Sequence, residues 1–480
     1  MIEMEHMAPL MFASLVFVML IGFPVAFSLA ALGLGAGLVS IQLGFFPAQY
    51  MSNLPLRVFG ILSNELLLAI PFFTFMGAIL ERCGLAEDLL EGTGQLFGSV
   101  PGGLAYAVIL VGAILGAITG TVAASVIAMG VISLPIMIRY GYNMRLATGV
   151  IAASGTITQV IPPSLVLVVL ADQLGRSVGD MYKGAIGPSI AQVLIFLIYI
   201  FILSRLRPGH MPPLPPEART LSGWALWRKV VLGMIPSIVL IFLVLGTIFM
   251  GLATPTEAGA MGAVGAMVLA ALNRRLTWPL VRQGMESTMR ITAMVIFILI
   301  GSTVFSLVFQ GVDGPVWIDH MLNRVTGGDP VTFLLIVNLF VFFLAFFLDF
   351  FEIAFIIIPL LAPVADKMGI DLIWFGVLLC VNMQTSFMHP PFGFALFYLR
   401  GIAPKSVKSS DIYLGSIPWV LLQLLLVGVL IFWPGMVTMW LDKPAEIDLD
   451  KIHLEVPSED YGGSSSYGNE YGAPPAPAGR

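Results

Sequence analysis

Only two cysteines occur in the 480 residues, Cys83 and Cys380, too few and too far apart for a disulfide framework or a thiolate metal cluster. No Gly-x-x-x-x-Gly-Lys-Ser/Thr loop is present, so the chain has no backbone cradle for the phosphates of ATP. No plausible catalytic triad or Cys/His metal spacing is present either. Charge is scarce: Asp, Glu, Lys and Arg together make up 11% of the residues and sum to a net charge of −5. The opening Met1-Ile2-Glu3-Met4-Glu5-His6 has no basic segment of the kind that starts a cleavable signal peptide, so the first apolar run is expected to stay as a span. What is abundant is apolar: 58% of residues are hydrophobic and the mean hydropathy is +0.96. Water-soluble globular chains of this size do not reach such values, and an all-α polytopic membrane protein is expected.

The chain is organised around Ala153-Ser154-Gly155-Thr156-Ile157-Thr158-Gln159-Val160-Ile161-Pro162-Pro163-Ser164, small and hydroxylated residues closed by two prolines between runs apolar enough for lipid. Pro162 and Pro163 remove two backbone donors and bias Ile161 away from helical dihedrals, so the helix should unwind and free several carbonyls. Irregular backbone at membrane depth survives only where protein covers it or water fills a cavity beside it. A second such stretch, Asn382 to Gly393, contains Pro390-Pro391. An offset of 228 residues carries Pro162 onto Pro390, Pro135 onto Pro363 and Gly141 onto Gly369. Paired, proline-interrupted segments in two halves are the sequence mark of a secondary transporter's midplane site.

Spans are expected near Met7–Ile21, Phe23–Leu43, Val58–Leu80, Ala147–Ala171 and Gly184–Leu203, with a re-entrant hairpin over about 102–138 whose tip is Gly116–Ser125. The second half repeats the plan near Val230–Phe249, Ala253–Leu272, Ile291–Gln310, Leu372–Leu399 and Ile412–Met436, with a hairpin over about 331–365 and its tip at Phe347–Glu352. The broken helices cover about 145–172 and 372–399. Five crossings per half force the second repeat to enter the membrane upside down, so two inverted-topology repeats are expected at 1–207 and 230–437. They are joined by a linker at 208–229 and followed by a polar tail, 443–480, expected to be disordered. Arg139, Arg145, Arg205, Arg207, Arg219, Arg228, Lys229, Arg274, Arg275, Arg282, Arg290, Arg400, Lys405 and Lys408 all fall on one side of this plan, which is therefore cytoplasmic, with both termini periplasmic. Gln42–Leu56 and Thr277–Ser287 read as interfacial amphipathic arms.

With this two-repeat plan, the stretches Gly98-Ser99-Val100-Pro101-Gly102-Gly103-Leu104-Ala105, Gly116–Ser125, Gly155–Pro163 and Pro255-Thr256-Glu257-Ala258-Gly259-Ala260 resemble the large membrane subunit of tripartite ATP-independent periplasmic (TRAP) transporters, DctM-like members of the ion-transporter superfamily, over roughly residues 8 to 437. The resemblance implies Na⁺-coupled uptake of an organic acid across the bacterial inner membrane and an elevator-like movement. It also implies a small four-helix membrane partner and a periplasmic substrate-binding protein, with Na⁺ as coupling ion and no other cofactor. The tip Leu348-Asp349-Phe350-Phe351-Glu352 and the break Met388-His389-Pro390-Pro391-Phe392-Gly393 depart from the commoner dicarboxylate and sialic-acid branch. They resemble the subgroup associated with oxo, hydroxy and aromatic acids.

Na⁺ takes several hard oxygen ligands, which hydroxyls and unwound carbonyls supply without a buried charge. The candidates for Na⁺ or substrate are Thr119, Gly120, Thr121, Ser154, Gly155, Thr156 and Pro162 in the first half and Gln384, Thr385, Ser386 and Pro390 in the second. The resemblance adds Asp349 for ion coupling, since an aspartate occupies that position in the family. An acid in a membrane hairpin costs about 2.5–3.5 kcal/mol on insertion scales without a partner or water, and Glu352 is read either as part of a polar network or as facing water. His389 is a proton carrier or a packed neutral histidine. Proton coupling without Na⁺ is the alternative mechanism, a passive channel and a membrane-embedded enzyme the alternative classes. An ordinary proline kink is the plain reading of each break, and Thr254-Pro255-Thr256-Glu257 is a helix capping box without chemistry.

Overall fold

Helices make up the regular structure of the computed structural model, which describes residues 3–442 apart from Gly120, Leu221 and Phe392. The expected disordered tail at 443–480 lies outside the described residues. The first half runs α1 (Met4–Ile21), α2 (Val25–Gln42), α3 (Asn53–Leu62), α4 (Ala69–Arg82), α5 (Leu85–Leu96), α6 (Gly103–Thr119), α7 (Val122–Arg139), α8 (Met144–Thr156), α9 (Leu165–Leu174) and α10 (Val178–Leu206). The second opens with α11 (Gly223–Ile241), continued through a π turn into α12 (Thr247–Phe249), then α13 (Pro255–Leu272), α14 (Trp278–Gly311), α15 (Gly314–Thr326) and α16 (Pro330–Leu344). Next come α17 (Phe350–Glu352), continued through a π turn into α18 (Ile358–Lys367), α19 (Leu372–Met383), α20 (Phe394–Ile402), α21 (Ser409–Phe432) and α22 (Gly435–Thr438).

Among the described residues seven helices are long and apolar enough to cross a membrane: α2, α7, α10, α11 with α12, α13, α14 and α21. Their outward faces carry exposed Phe27, Ile198, Phe242, Leu272 and Leu421, which water would penalise and lipid accepts.

Matching local signals delimit matching elements. Gly141 (φ 76°) and Gly369 (φ 73°) follow α7 and α18 in the left-handed region that suits glycine. Two residues after each glycine an N-cap opens the next helix: Asn143 accepts from the amides of Arg145 (3.0 Å) and Leu146 (3.4 Å), and Asp371 from that of Trp374 (2.8 Å). The expected Thr254–Glu257 capping box is present. At the mouth of the second hairpin the Asp329 carboxyl is held below its ordinary value by hydrogen bonds from the Thr332 hydroxyl and amide.

The helices differ from the expected spans in four places. Val58–Leu80 is not one rod: a 46° bend separates α3 from the segment leading into α4. Asn64 makes the bend by accepting from the Leu66 amide (3.0 Å) while donating to Asp172 (2.6 Å). The arm at Thr277–Ser287 merges with the following span into the 34-residue α14, because no proline interrupts the join and Arg282 pairs with Glu286 one turn on. The linker ends earlier than 229, since α11 starts at Gly223. Finally, α5 and α15 were not foreseen: α5 buries Leu89 and Leu90 while Glu87, Asp88 and Glu91 face outward, too polar a pattern to register as a span.

Glycines set the closest packing. A Cβ at Gly33 of α2 would lie 2.8 Å from the Phe305 backbone of α14, and one at Gly301 would lie 2.3 Å from the Ala26 carbonyl oxygen. At Gly262 of α13 it would meet Met76 of α4 at 2.6 Å. Helix backbones approach this closely only where the side chain is missing.

Candidate functional site

The first break is shorter than expected. Ser154, Gly155 and Thr156 remain in α8, the two hydroxyls donating back to the carbonyls of Ile151 (3.0 Å) and Ala153 (2.9 Å), and the chain leaves the α-helix only at Ile157. The physical reason is reach: a proline removes its own donor and biases the residue before it, so Pro162 and Pro163 act back about four residues and no further. Several carbonyls of the break are also partnered. Ser164 and Cys380 donate to the Gln159 carbonyl, Cys380 at 3.4 Å, and the Ser189 hydroxyl donates to Val160 at 3.1 Å. Pro162 is buried.

The first hairpin grips this break. A Cβ at Gly155 would lie 2.9 Å from the Val126 backbone of α7, one at Gly112 2.7 Å from Ser154, and one at Gly116 3.0 Å from the Thr158 Cα. Gly155 is therefore glycine because α7 passes against it. At the hairpin tip Thr119 is the last residue of α6, Thr121 is the half-buried N-cap of α7, and Gly120 lies outside the described residues.

In the second break α19 passes into a tight 3₁₀ turn over Gln384–Met388, and α20 starts at Phe394. Thr385 donates to the Asn382 carbonyl (2.7 Å), while Ser386 is 6% exposed with a hydroxyl that has no hydrogen-bond partner. Asn382 donates to the Asn338 carbonyl of α16 (2.7 Å), tying this break to its own hairpin. Pro390 is half-buried, and the Pro162-Pro163 and Pro390-Pro391 peptides are both cis. His389 is buried between the rings of Phe342 and Phe346, with centroid distances of 4.4 and 4.1 Å.

The two breaks meet. Gln384 donates through Nε2 to the Thr156 hydroxyl (3.3 Å), and its Oε1 accepts from Nε2 of Gln192 on α10 (2.9 Å). Thr156 and Gln384 are 228 residues apart, the offset that relates the two proline pairs. All three side chains are at most 1% exposed. Among the buried amides of the breaks, α10 and α21, Gln159 Oε1, Gln192 Oε1 and Asn382 Oδ1 are acceptors without a donor, and both amide atoms of Gln423 are unpartnered. Acceptors left open in this number suit a cation or a ligand's donors. No group of three or more His, Cys, Asp or Glu among the described residues could hold a metal ion. Gln192 and Gln423 were missed from the sequence, although both are lone amides in apolar helices 231 residues apart, and a polar residue so placed is itself a functional signal.

Asp349 and Glu352 form a capping box of their own. The Asp349 carboxylate accepts from the Glu352 amide (2.9 Å), and Glu352 accepts from the Asp349 amide (3.0 Å), which starts α17 at the hairpin tip. Both acids line a cavity of about 600 Å³ shared with the α1–α2 turn and α14, including Phe23, Pro24 and Phe297, with no basic residue in its wall. Phe350 stands 6.3 Å from Phe387, so the tip also reaches the second break.

Buried amide bridges between interrupted helices, inside a shell of helices with apolar outer faces, define a multi-pass membrane protein of the transporter class. The profile of the tripartite ATP-independent periplasmic transporter DctM component matches residues 12–436. The chain belongs to this family and is a DctM-like TRAP large permease subunit. It is 30% identical over 407 residues to the C4-dicarboxylate TRAP transporter large permease protein DctM of Pseudomonas aeruginosa, covering 84% of this chain and 92% of that one. It is 28% identical to the isethionate TRAP transporter permease protein DctMQ of Oleidesulfovibrio alaskensis, covering 87% of this chain and 64% of the relative. The crystal structure of the Alcanivorax borkumensis YdaH transporter shares the fold, with a TM-score of 0.57 at 16% identity over 80% of this chain and 88% of that one.

Proposed function

We propose that this chain is the membrane-crossing subunit of a Na⁺-coupled secondary transporter that takes up an organic acid through the bacterial inner membrane, and is not an enzyme. The observation that carries the reading is the buried Gln192–Gln384–Thr156 bridge, which joins the two broken helices at repeat-related residues and leaves Gln192 Oε1 without a donor. Hydroxyl, amide and carbonyl oxygens from Thr119, Gly120, Thr121, Ser154, Gly155 and Thr156, and from Gln384, Thr385 and Ser386, are the proposed Na⁺ and substrate ligands, with Asp349 contributing to ion coupling from the outer tip. No lysine or arginine takes part in the bridge, so a carboxylate would be held by helix N-termini and by the bound cations. Na⁺ and substrate then bind cooperatively by reciprocal linkage.

The packing supports two inverted repeats, and the proposed movement is of the elevator type. α2 packs on α14 while α4 packs on α13, and α8 packs on α21 while α10 packs on α19. Pairing each helix with its counterpart turns each contact into the other, as a pseudo-twofold axis in the membrane plane would. The names of the relatives support an anionic substrate, and the third of the DctMQ relative without counterpart here supports a separate small membrane subunit. The periplasmic binding protein completes the assembly.

Uptake by the complete complex in proteoliposomes is the test: it should require an inward Na⁺ gradient and the binding protein. Uptake unchanged when K⁺ replaces Na⁺ refutes the reading. Dependence on a pH gradient that disappears in His389→Gln would establish proton coupling instead.

A further inference from the structure

Matching faces of α10 and α21 are covered by different parts of the chain. The 231-residue offset that relates Gln192 to Gln423 also relates Gly184 and Gly187 of α10 to Gly415 and Pro418 of α21. On α10 this face is covered by the segment around α22: a Cβ at Gly184 would lie 2.9 Å from Val437, and one at Gly187 would lie 2.2 Å from the Met436 carbonyl oxygen and 2.8 Å from the Trp440 indole nitrogen. The cover exists because α21 ends before Trp433-Pro434 and the chain turns back, whereas α10 runs on to Leu206. On α21 a Cβ at Gly415 would lie 2.3 Å from the Arg145 carbonyl oxygen of α8, and beside that contact Gly415 and Pro418 line a cavity of about 560 Å³ where α8, α10 and α21 meet.

The cavity has two kinds of wall. At its rim stand Arg145, Arg207 and His210 against a single acid, Asp411. Arg145 pairs with Asp411 at 3.2 Å yet leaves its side chain 58% exposed. Arg207 has no carboxylate within ion-pair distance among the described residues. Asn143 and Met144 at the start of α8 line the same space and add the positive end of a helix dipole. Leu203 and exposed Leu414 also line the wall, on helices whose outer faces carry exposed Ile198, Ile202, Ile417 and Leu421. A soluble anion would use only the rim. A molecule with an anionic head and a long apolar chain uses both walls.

We propose that the groove between α8, α10 and α21 binds an anionic phospholipid, its phosphate at Arg145 and Arg207 and an acyl chain along α10 and α21. Basic pockets between membrane helices at headgroup level are suited to this chemistry.

The test is lipid binding to the purified full-length protein, measured by native mass spectrometry with phosphatidylglycerol and phosphatidylcholine of identical acyl chains. Phosphatidylglycerol should be retained in preference, and Arg207→Gln should weaken that preference about fivefold, the weight of one arginine near an anionic headgroup. Leu414→Trp, which fills the groove, should abolish retention. Arg207 is the decisive position because it has no ion pair among the described residues to disturb. Four results would each overturn the proposal: equal retention of the two lipids, no change in Arg207→Gln, displacement by glycerol 3-phosphate, or cross-linking of Leu414→Cys in cells to a partner protein instead of lipid. None of these readouts needs transport, so they stand apart from the test of Na⁺ coupling.

Discussion

The bridge between the two breaks can be tested by removing its central amide. Gln384→Met keeps nearly the same volume and deletes both hydrogen bonds, to Thr156 and from Gln192. Thr156 loses little, because its hydroxyl still donates to the Ala153 carbonyl at 2.9 Å. Gln192 loses more: its Oε1 is already unpartnered, so the whole amide becomes an orphan 1% exposed. Such a group costs about 1–3 kcal/mol in a protein interior, while hydrogen bonds between membrane helices average about 0.6 and reach about 1.7 kcal/mol, since the unfolded chain in lipid also finds partners. The single variant should therefore lose roughly 1–2 kcal/mol. The double variant Gln192→Met/Gln384→Met removes the orphan and should cost less than the sum of the singles by roughly 0.6–1.7 kcal/mol. Reversible unfolding in detergent micelles of the wild type, both singles and the double measures this coupling. Additivity within about 0.3 kcal/mol refutes the bridge as an energetic unit.

Replacing Thr156 or Thr385 by valine keeps the shape and removes one oxygen, so the half-saturating Na⁺ concentration for uptake should rise while the complex still assembles; unchanged Na⁺ dependence in both rejects the proposed ion sites. Asp349→Asn preserves the N-cap, since asparagine caps as well as aspartate, whereas Asp349→Ala loses about 1 kcal/mol. Full uptake by Asp349→Asn would make this acid a cap only, and loss of uptake in a stable protein would make it a coupling group. Gly155→Ala places a methyl 2.9 Å from the Val126 backbone and should destabilise by about 1–3 kcal/mol, while Gly35→Ala, with nothing within 4 Å, should be neutral in the same unfolding assay. Cysteines introduced at Glu3 and Ser222 should be labelled by an impermeant reagent from outside and from inside respectively, over a low background because Cys83 and Cys380 are buried; labelling of Ser222→Cys from outside reverses the topology.

Local chemistry made much of this protein legible in its sequence. Runs of apolar residues set the spans, Pro162-Pro163 and Pro390-Pro391 marked both breaks, and Gly141 with Asn143 and Gly369 with Asp371 fixed where α8 and α19 begin, because dihedral limits and missing donors act within a few residues. Only the tertiary structure decided the rest. Whether Ser154 to Thr156 unwound depended on hydrogen bonds to Ile151 and Ala153, and whether freed carbonyls stayed open depended on Ser164, Ser189 and Cys380. Gln192 is separated from the break it meets by a long stretch of chain, and periodicity within one helix carries no record of which amide meets which. The meeting of Thr156 with Gln384 required both halves to fold against each other, since a contact across 228 residues is set by helix packing and not by either segment alone.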